Sequence, residues 1–204
     1  METNHTETKT KWTIDRSHSE ISFKVRHLMI AHVRGTFKTF DASIYTYSKD
    51  FKTAEVDLWI DAASIQTGDE KRDKHLRSRD FFDVKKHKQI TFTSSTIGPA
   101  NAEGNQELWG ELTMVGITQN VKLNVRFGGM LNDPWGNERA GFTVTGTINR
   151  SHWGLTWNTP TESGGIMVAD EIAISCEVEL TKTAQNSLEM QLEAQVEDKS
   201  VLHL

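Results

Sequence analysis

The chain is poor in cysteine: Cys176 stands alone among 204 residues, so no internal disulfide holds the fold. Only three prolines occur, Pro99, Pro134 and Pro160, each placed to break or edge a segment. No apolar run approaches the roughly 18 residues a membrane span needs. The opening METNHTETKTKW has neither a basic start nor an apolar stretch; it does not read as a secretory signal, and a cytoplasmic protein is expected. A net charge of −5 argues against nucleic acid as a partner. The eight histidines show no HxH or HExxH spacing, and residue 79, the helical i+4 neighbour of His75, is an arginine. Neither a metal site nor a cofactor is expected. There is no GxSxG elbow and no Cys/His pair with an orienting acid, so catalysis on an apolar substrate is the lesser reading.

What the chain has is alternation with a period of two. It runs through Ile21, Phe23, Val25 and His27, then Val33, Gly35 and Phe37, then Val56, Leu58, Ile60 and Ala62. Ile90 and Phe92 follow, then Leu108 to Met114, Val121 to Phe127, Ala140 to Ile148 and Ile172 to Leu180, with a short opening strand around Trp12 to Ile14. About eight strands result, each with one apolar and one polar face. Turn residues such as Gly98-Pro99, Gly116 and Asp133-Pro134 join most neighbours by short links, which implies antiparallel pairing. Closure into an eight-stranded antiparallel barrel hides the apolar face and removes the edges. Cys176 falls in the last apolar row and reads as a small core residue.

A barrel of this size is either filled by side chains or holds one small ligand. The inward rows contain Gly35, Ala62, Gly110, Ala140 and Gly146. These either leave volume for a ligand or mark sharp strand bends. One stretch, residues 66–88, breaks the β rhythm. Thr67 and Glu70 have capping-box spacing, which predicts a short helix near 69–79 with Glu70 and Lys74 paired. Leu76, Phe81 and Phe82 then plug one barrel end. Residues 1–11 read as an N-terminal tail and 12–182 as the barrel domain. Residues 183–204 read as an acidic extension, a short helix or disordered, with Leu188, Leu192 and Val196 at four-residue spacing.

In order, the stretches WTIDRSHSEISFKVRH, VRGTFKTFDA, TGDEKRDKHLRSRDFFDV, ITFTS, GELTMVGITQNVKL and INRSHWGL resemble the YceI-like, polyisoprenoid-binding family over about Trp12 to Lys182. The resemblance implies an extended lipocalin-like barrel. Its apolar tunnel would hold a polyprenyl chain, an isoprenoid quinone or another long lipid, and a homodimer is implied too. Family members are often exported, and this sequence departs from them in its start.

Candidate ligand-binding residues are Phe23, Val25, His27, Phe37, Leu58, Phe81, Phe92, Leu112, Phe142 and Val144, each of which would also serve as ordinary core. His27 either meets a head group or bonds to a neighbouring strand, and the structural role is favoured. The window Lys71–Lys88 holds eight Lys or Arg against three Asp. Within it, Lys71, Lys74 and Arg77 are candidates for contact with a head group or an anionic membrane, against the plainer reading of a solvated helix. Asp15, His18, Asn149, Arg150, Trp153 and Gly154 match family positions, and an Arg150–Asp15 pair is expected to lock the first and seventh strands. The alternative to a carrier is a filled barrel acting as an interaction module through Trp59, Trp109 and the acidic tail.

Overall fold

The computed structural model describes residues 9–47, 51–160 and 166–183. The alternating segments form strands because successive side chains of an extended chain point to opposite faces. They are β1 (Thr10–Ile14), β2 (Glu20–His27), β3 (Ala31–Phe37), β4 (Phe40–Thr46), β5 (Glu55–Asp61), β6 (Ile65–Gln66), β7 (Gln89–Ile97), β8 (Asn105–Met114), β9 (Ile117–Asn132), β10 (Glu138–Asn149) and β11 (Val168–Lys182). The helix α1 (Glu70–Leu76) lies between β6 and β7.

These eleven strands occupy eight positions in a closed antiparallel wall. β1 and β2 lie end to end along β11, with Ile14 opposite Leu180 and Glu20 opposite Glu177. β4 and β3 lie end to end beside them, with Trp12 opposite Ile44 and Ile21 opposite Phe37. β5 and β6 continue the pattern, with Phe40 opposite Ile60 and Phe37 opposite Ile65. β7 to β11 are single long strands, and β11 closes the circle on β1 and β2. The expected eight-stranded barrel is therefore present. β4 and β6 are additions to the predicted strands. β4 escapes a periodicity reading because its inward row, Phe40, Ala42, Ile44 and Thr46, ends on a hydroxyl. Thr46 is buried all the same and accepts a hydrogen bond from Trp12 Nε1 at 3.2 Å. Short turns close one end of the barrel, the turn end. The helix, the β2–β3 hairpin and the 150–160 segment crown the other, the helix end.

The helix is shorter than predicted and capped differently. Asp69, not Thr67, is the N-cap, its carboxylate accepting from Arg72 N at 2.9 Å. Thr67 instead binds the buried Asp73, whose carboxylate accepts from Thr67 N at 2.9 Å. Arg72 Nε donates to Thr67 Oγ1 at 2.7 Å. Glu70 and Lys74 form no ion pair among the described residues. The expected acidic extension lies, apart from Thr183, outside the described residues.

At the turn end, Arg139 on β10 gathers three carboxylates. It donates to Asp15 at 2.7 Å, to Asp133 at 2.8 Å and to Glu179. Asp15, in the gap between β1 and β2, thus pairs with Arg139 and not with Arg150. The two arginines sit at opposite ends of β10, which sequence spacing alone does not separate into partners. The Ser17 hydroxyl and then Arg139 hold the Asp15 carboxyl well below the usual carboxylate range. Asn137 and then Arg139 do the same for Asp133. A carboxyl depressed in the folded state stabilises above its unfolded pKa, about 4, and that contribution is lost as pH falls toward the folded value. Melting temperature followed from pH 7 to pH 3 is expected to fall below about pH 4 in the wild type. In Arg139→Gln it should start lower at neutral pH and fall less on acidification. Parallel curves for the two proteins would refute the clasp. Among the described residues, the set of His and carboxylate groups close enough to hold a metal is Asp15, His18 and Glu179. The Arg139 guanidinium already bonds to both of its carboxylates.

Candidate ligand-binding cavity

The inward rows leave the barrel hollow. A cavity of about 290 Å³ runs from the turn end to the helix end, at the lower edge of the range for ligand pockets, roughly 300–1,000 Å³. Phe51, from the β4–β5 connection, stands over the turn end, its ring 4.8 Å from Phe142 and 5.0 Å from Trp12. At the helix end Leu76, Phe81 and Phe82 line the cavity, so the α1 segment is the plug its sequence suggests. Phe82 meets Phe37 edge-on at 6.1 Å, and Phe81 lies 5.2 Å from Trp157.

Nine of the ten candidate ligand-binding residues face this cavity. The exception is His27, at the last position of β2 opposite Ala31 and Val168. Its row is continuous with Ile21, Phe23 and Val25, but the register with β11 shifts between Ile172 and Val168, and here the β11 partner Val168 lines the cavity while His27 does not. Phe51, which also lines the cavity, escapes the sequence reading because it sits in a connection with no periodic neighbours. An isolated large aromatic in a loop was the available signal.

The small inward residues do not make the volume. None of Gly35, Ala62, Gly110, Ala140 and Gly146 lines the cavity. Ala62 and Ala140 are packed to 1% exposure. The glycines are covered from the neighbouring strand: a Cβ at Gly35 would lie 2.4 Å from the Phe23 ring, at Gly110 2.5 Å from the Phe92 ring, and at Gly146 2.5 Å from Leu123. Glycine here lets a cavity-lining side chain lie flat on its partner strand.

The lining offers a ligand almost no polarity. Beside its apolar residues it contains Ser22, Gln106, Cys176 and Arg150. Arg150 is 4% exposed, and its guanidinium is committed to protein oxygens. Nε donates to Ala169 O at 3.0 Å, Nη1 to Leu155 O and to Trp157 O at 2.9 Å, and Nη2 to Val168 O at 3.3 Å, while Asp170 is ion-paired with Nη2 at 3.1 Å. Arg150 ties Leu155 and Trp157 to the start of β11 at the helix end, and burial lowers its pKa. Ser22 Oγ is committed to Ser175 O at 2.6 Å and Gln106 Nε2 to Gly98 O at 3.1 Å. Burial pushes the Cys176 thiol up to about 11, away from reactive thiolate. Of the basic candidates, Lys71 and Lys74 are exposed on α1. Arg77 is not free for a head group: it donates to Ala63 O at 2.7 Å and Ile65 O at 2.6 Å, pinning the helix to β6.

A family model described as the YceI-like domain matches residues 12–180. The chain belongs to the YceI-like family. This YceI-like chain is 35% identical to a UPF0312 protein of Staphylococcus epidermidis over 173 residues, 84% of this chain and 98% of that one. Among solved structures it is similar to the Campylobacter jejuni YceI protein, with a TM-score of 0.65 and 31% identity over 78% of this chain and 91% of that one. It is also similar to Burkholderia cenocepacia BcnA, with a TM-score of 0.69 and 25% identity over 81% and 98%. A polyisoprenoid-binding domain of Saccharophagus degradans shares the fold, with a TM-score of 0.59 and 15% identity over 84% and 98%. Among the described residues of this YceI-like barrel, no helix is long and apolar enough to cross a membrane.

Proposed function

We propose that this YceI-like protein binds and carries a long isoprenoid chain, of the polyprenyl or isoprenoid-quinone class, in its barrel. The nine cavity-facing candidates, from Phe23 to Val144, are the ligand contacts. The observation that carries this reading is the state of the polar groups in the lining: Arg150 makes four hydrogen bonds to protein carbonyls and an ion pair with Asp170. A ligand with a charged group deep inside would meet no free partner, at a cost of several kcal/mol. An apolar chain asks for none and gains roughly 25 cal/mol per Å² removed from water. The long shape between two aromatic clusters favours a slender flexible chain over a compact polycycle. The Saccharophagus degradans neighbour, described as polyisoprenoid-binding, supports the same class. The lining's titratable groups, a committed Arg150 and a suppressed Cys176, offer no acid–base pair for chemistry on such a substrate.

Native mass spectrometry of freshly purified protein, followed by organic extraction, tests this. The expected result is a bound mass that extracts as a prenyl or quinone species, or one acquired on incubation with ubiquinone or a polyprenyl lipid. The same spectra report whether two copies associate, as the family resemblance implies. A mass that stays apo after incubation overturns the carrier reading.

A further inference from the structure

The β2–β3 hairpin leaves the barrel rim at the helix end and carries a surface that the cavity does not use. Its tip is apolar and open to solvent: Leu28 is 39% exposed, Met29 47% and Ile30 86%, with Ile166 beside it at 43%. Leu28 N donates to Met167 O at 2.8 Å, which holds the tip against that neighbouring segment. The turn is closed by Ile30 N donating to His27 O at 3.2 Å. Leu28 and Met29 between them have φ of 50° and 60°. Two positive φ values are the requirement of a type I′ turn, which Asn-Gly fills without strain and branched or long side chains do not. The chain keeps two apolar side chains where turn chemistry disfavours them and where no core receives them.

The flanks are basic. From Ile21 to Phe40 there is no Asp or Glu, while Lys24, Arg26, Arg34 and Lys38 are present with His27 and His32. Lys24 lies opposite Arg34 across the ladder, a like-charge pair that destabilises a hairpin, and Arg26 lies opposite His32. All four are exposed on the outer face. None of Lys24, Arg26, Arg34 and Lys38 forms an ion pair among the described residues. The nearest acids by register are on β11: Asp170, engaged by Arg150, and Glu171, which forms no ion pair with these cations. Lys71 and Lys74 of α1 are exposed at the same end of the barrel.

We infer that the β2–β3 hairpin is an anchor for an anionic phospholipid surface. Leu28, Met29 and Ile30 enter the acyl boundary, and Lys24, Arg26 and Arg34 meet the head groups. The tip has no aromatic ring to stack on a base, so a nucleic acid does not account for it. A bilayer accounts for both halves, the apolar point and the uncompensated cations. Each Lys or Arg near such a surface raises affinity about fivefold at low salt. The inference rests on the carrier reading for its purpose: docking here presents the plugged end of the cavity to the membrane that holds the lipid.

The full chain is floated with vesicles of phosphatidylcholine alone and of phosphatidylcholine mixed with phosphatidylglycerol. The expected result is binding to the anionic vesicles only, weakened by salt. Leu28→Asn with Met29→Gly should lower it at least about tenfold, with the melting temperature kept or raised because the turn is relieved. Lys24→Gln with Arg34→Gln should lower it about 25-fold. Uptake of a polyprenyl lipid or ubiquinone from detergent micelles is measured in parallel and should be the same in all variants. Wild type that ignores anionic vesicles overturns the anchor, as does a folded Asn-Gly variant that binds them unchanged. So does a dimer that the Asn-Gly variant converts to monomer without any vesicle binding, since the tip is then an interface between copies. Loss of uptake in every protein with the flotation difference intact refutes the carrier reading and leaves the anchor standing.

Discussion

Gly110→Val is expected to lower the melting temperature by roughly 6–12 °C, from an overpacking cost of about 3 kcal/mol at about 2–4 °C per kcal/mol for a domain of this size. The cause is local. A Cβ at residue 110 would stand 2.5 Å from the Thr93 carbonyl oxygen on the paired strand β7, as well as 2.5 Å from the Phe92 ring. A ring can swing; a ladder carbonyl cannot without parting β7 from β8. Gly146 is the control. Its would-be Cβ meets Leu123 Cδ2 at 2.5 Å but no backbone atom nearer than 3.6 Å. Gly146→Ala should therefore cost much less, and thermal melts of the two variants check the contrast. Equal losses would mean that strand separation is not what sets the penalty.

The second large effect is on ligand content. Val144 faces the cavity midway along β10, opposite Val125 on β9 and Cys176 on β11. Val144→Trp pushes an indole into a space of about 290 Å³. The lipid extracted per mole of protein should fall about tenfold or more, because the ring takes the volume the chain would fill. Stability should hold within about 1 kcal/mol, since the added atoms enter empty space rather than a filled core. Thr145→Trp, one residue on and facing outward, should leave lipid content unchanged. Equal lipid in both variants, each folded, would place the ligand elsewhere.

Much of this architecture is legible in the amino-acid order, for a physical reason. An antiparallel strand with one wet face writes its burial into the chain at period two, and Ile172 to Leu180 or Val121 to Phe127 can be read almost residue by residue. What is illegible needs knowledge of a partner strand. Gly35, Gly110 and Gly146 suggest open volume along their own strands, and only the pairing reveals Phe23, Phe92 and Leu123 lying across them. Asp15 and Arg139 are 124 residues apart, and the stretch between offers many other cations. The basic run around α1 looks uniform, yet Arg72 and Arg77 are consumed by Thr67 and by the Ala63 and Ile65 carbonyls, while Lys71 and Lys74 stay free in water. The same holds for β4, whose buried Thr46 looks polar until Trp12 Nε1 is placed beside it.

The wall of the barrel is mechanically uneven. Five adjoining staves, β7 to β11, are single pieces, whereas the three between β11 and β7 are each jointed: β1 with β2, β3 with β4, β5 with β6. A joint interrupts the run of ladder hydrogen bonds and gives the chain a place to flex. Under the carrier reading, a guest thicker than the resting bore would be accommodated on the jointed side. The hoop would then stretch along one arc and stay closed around the rest.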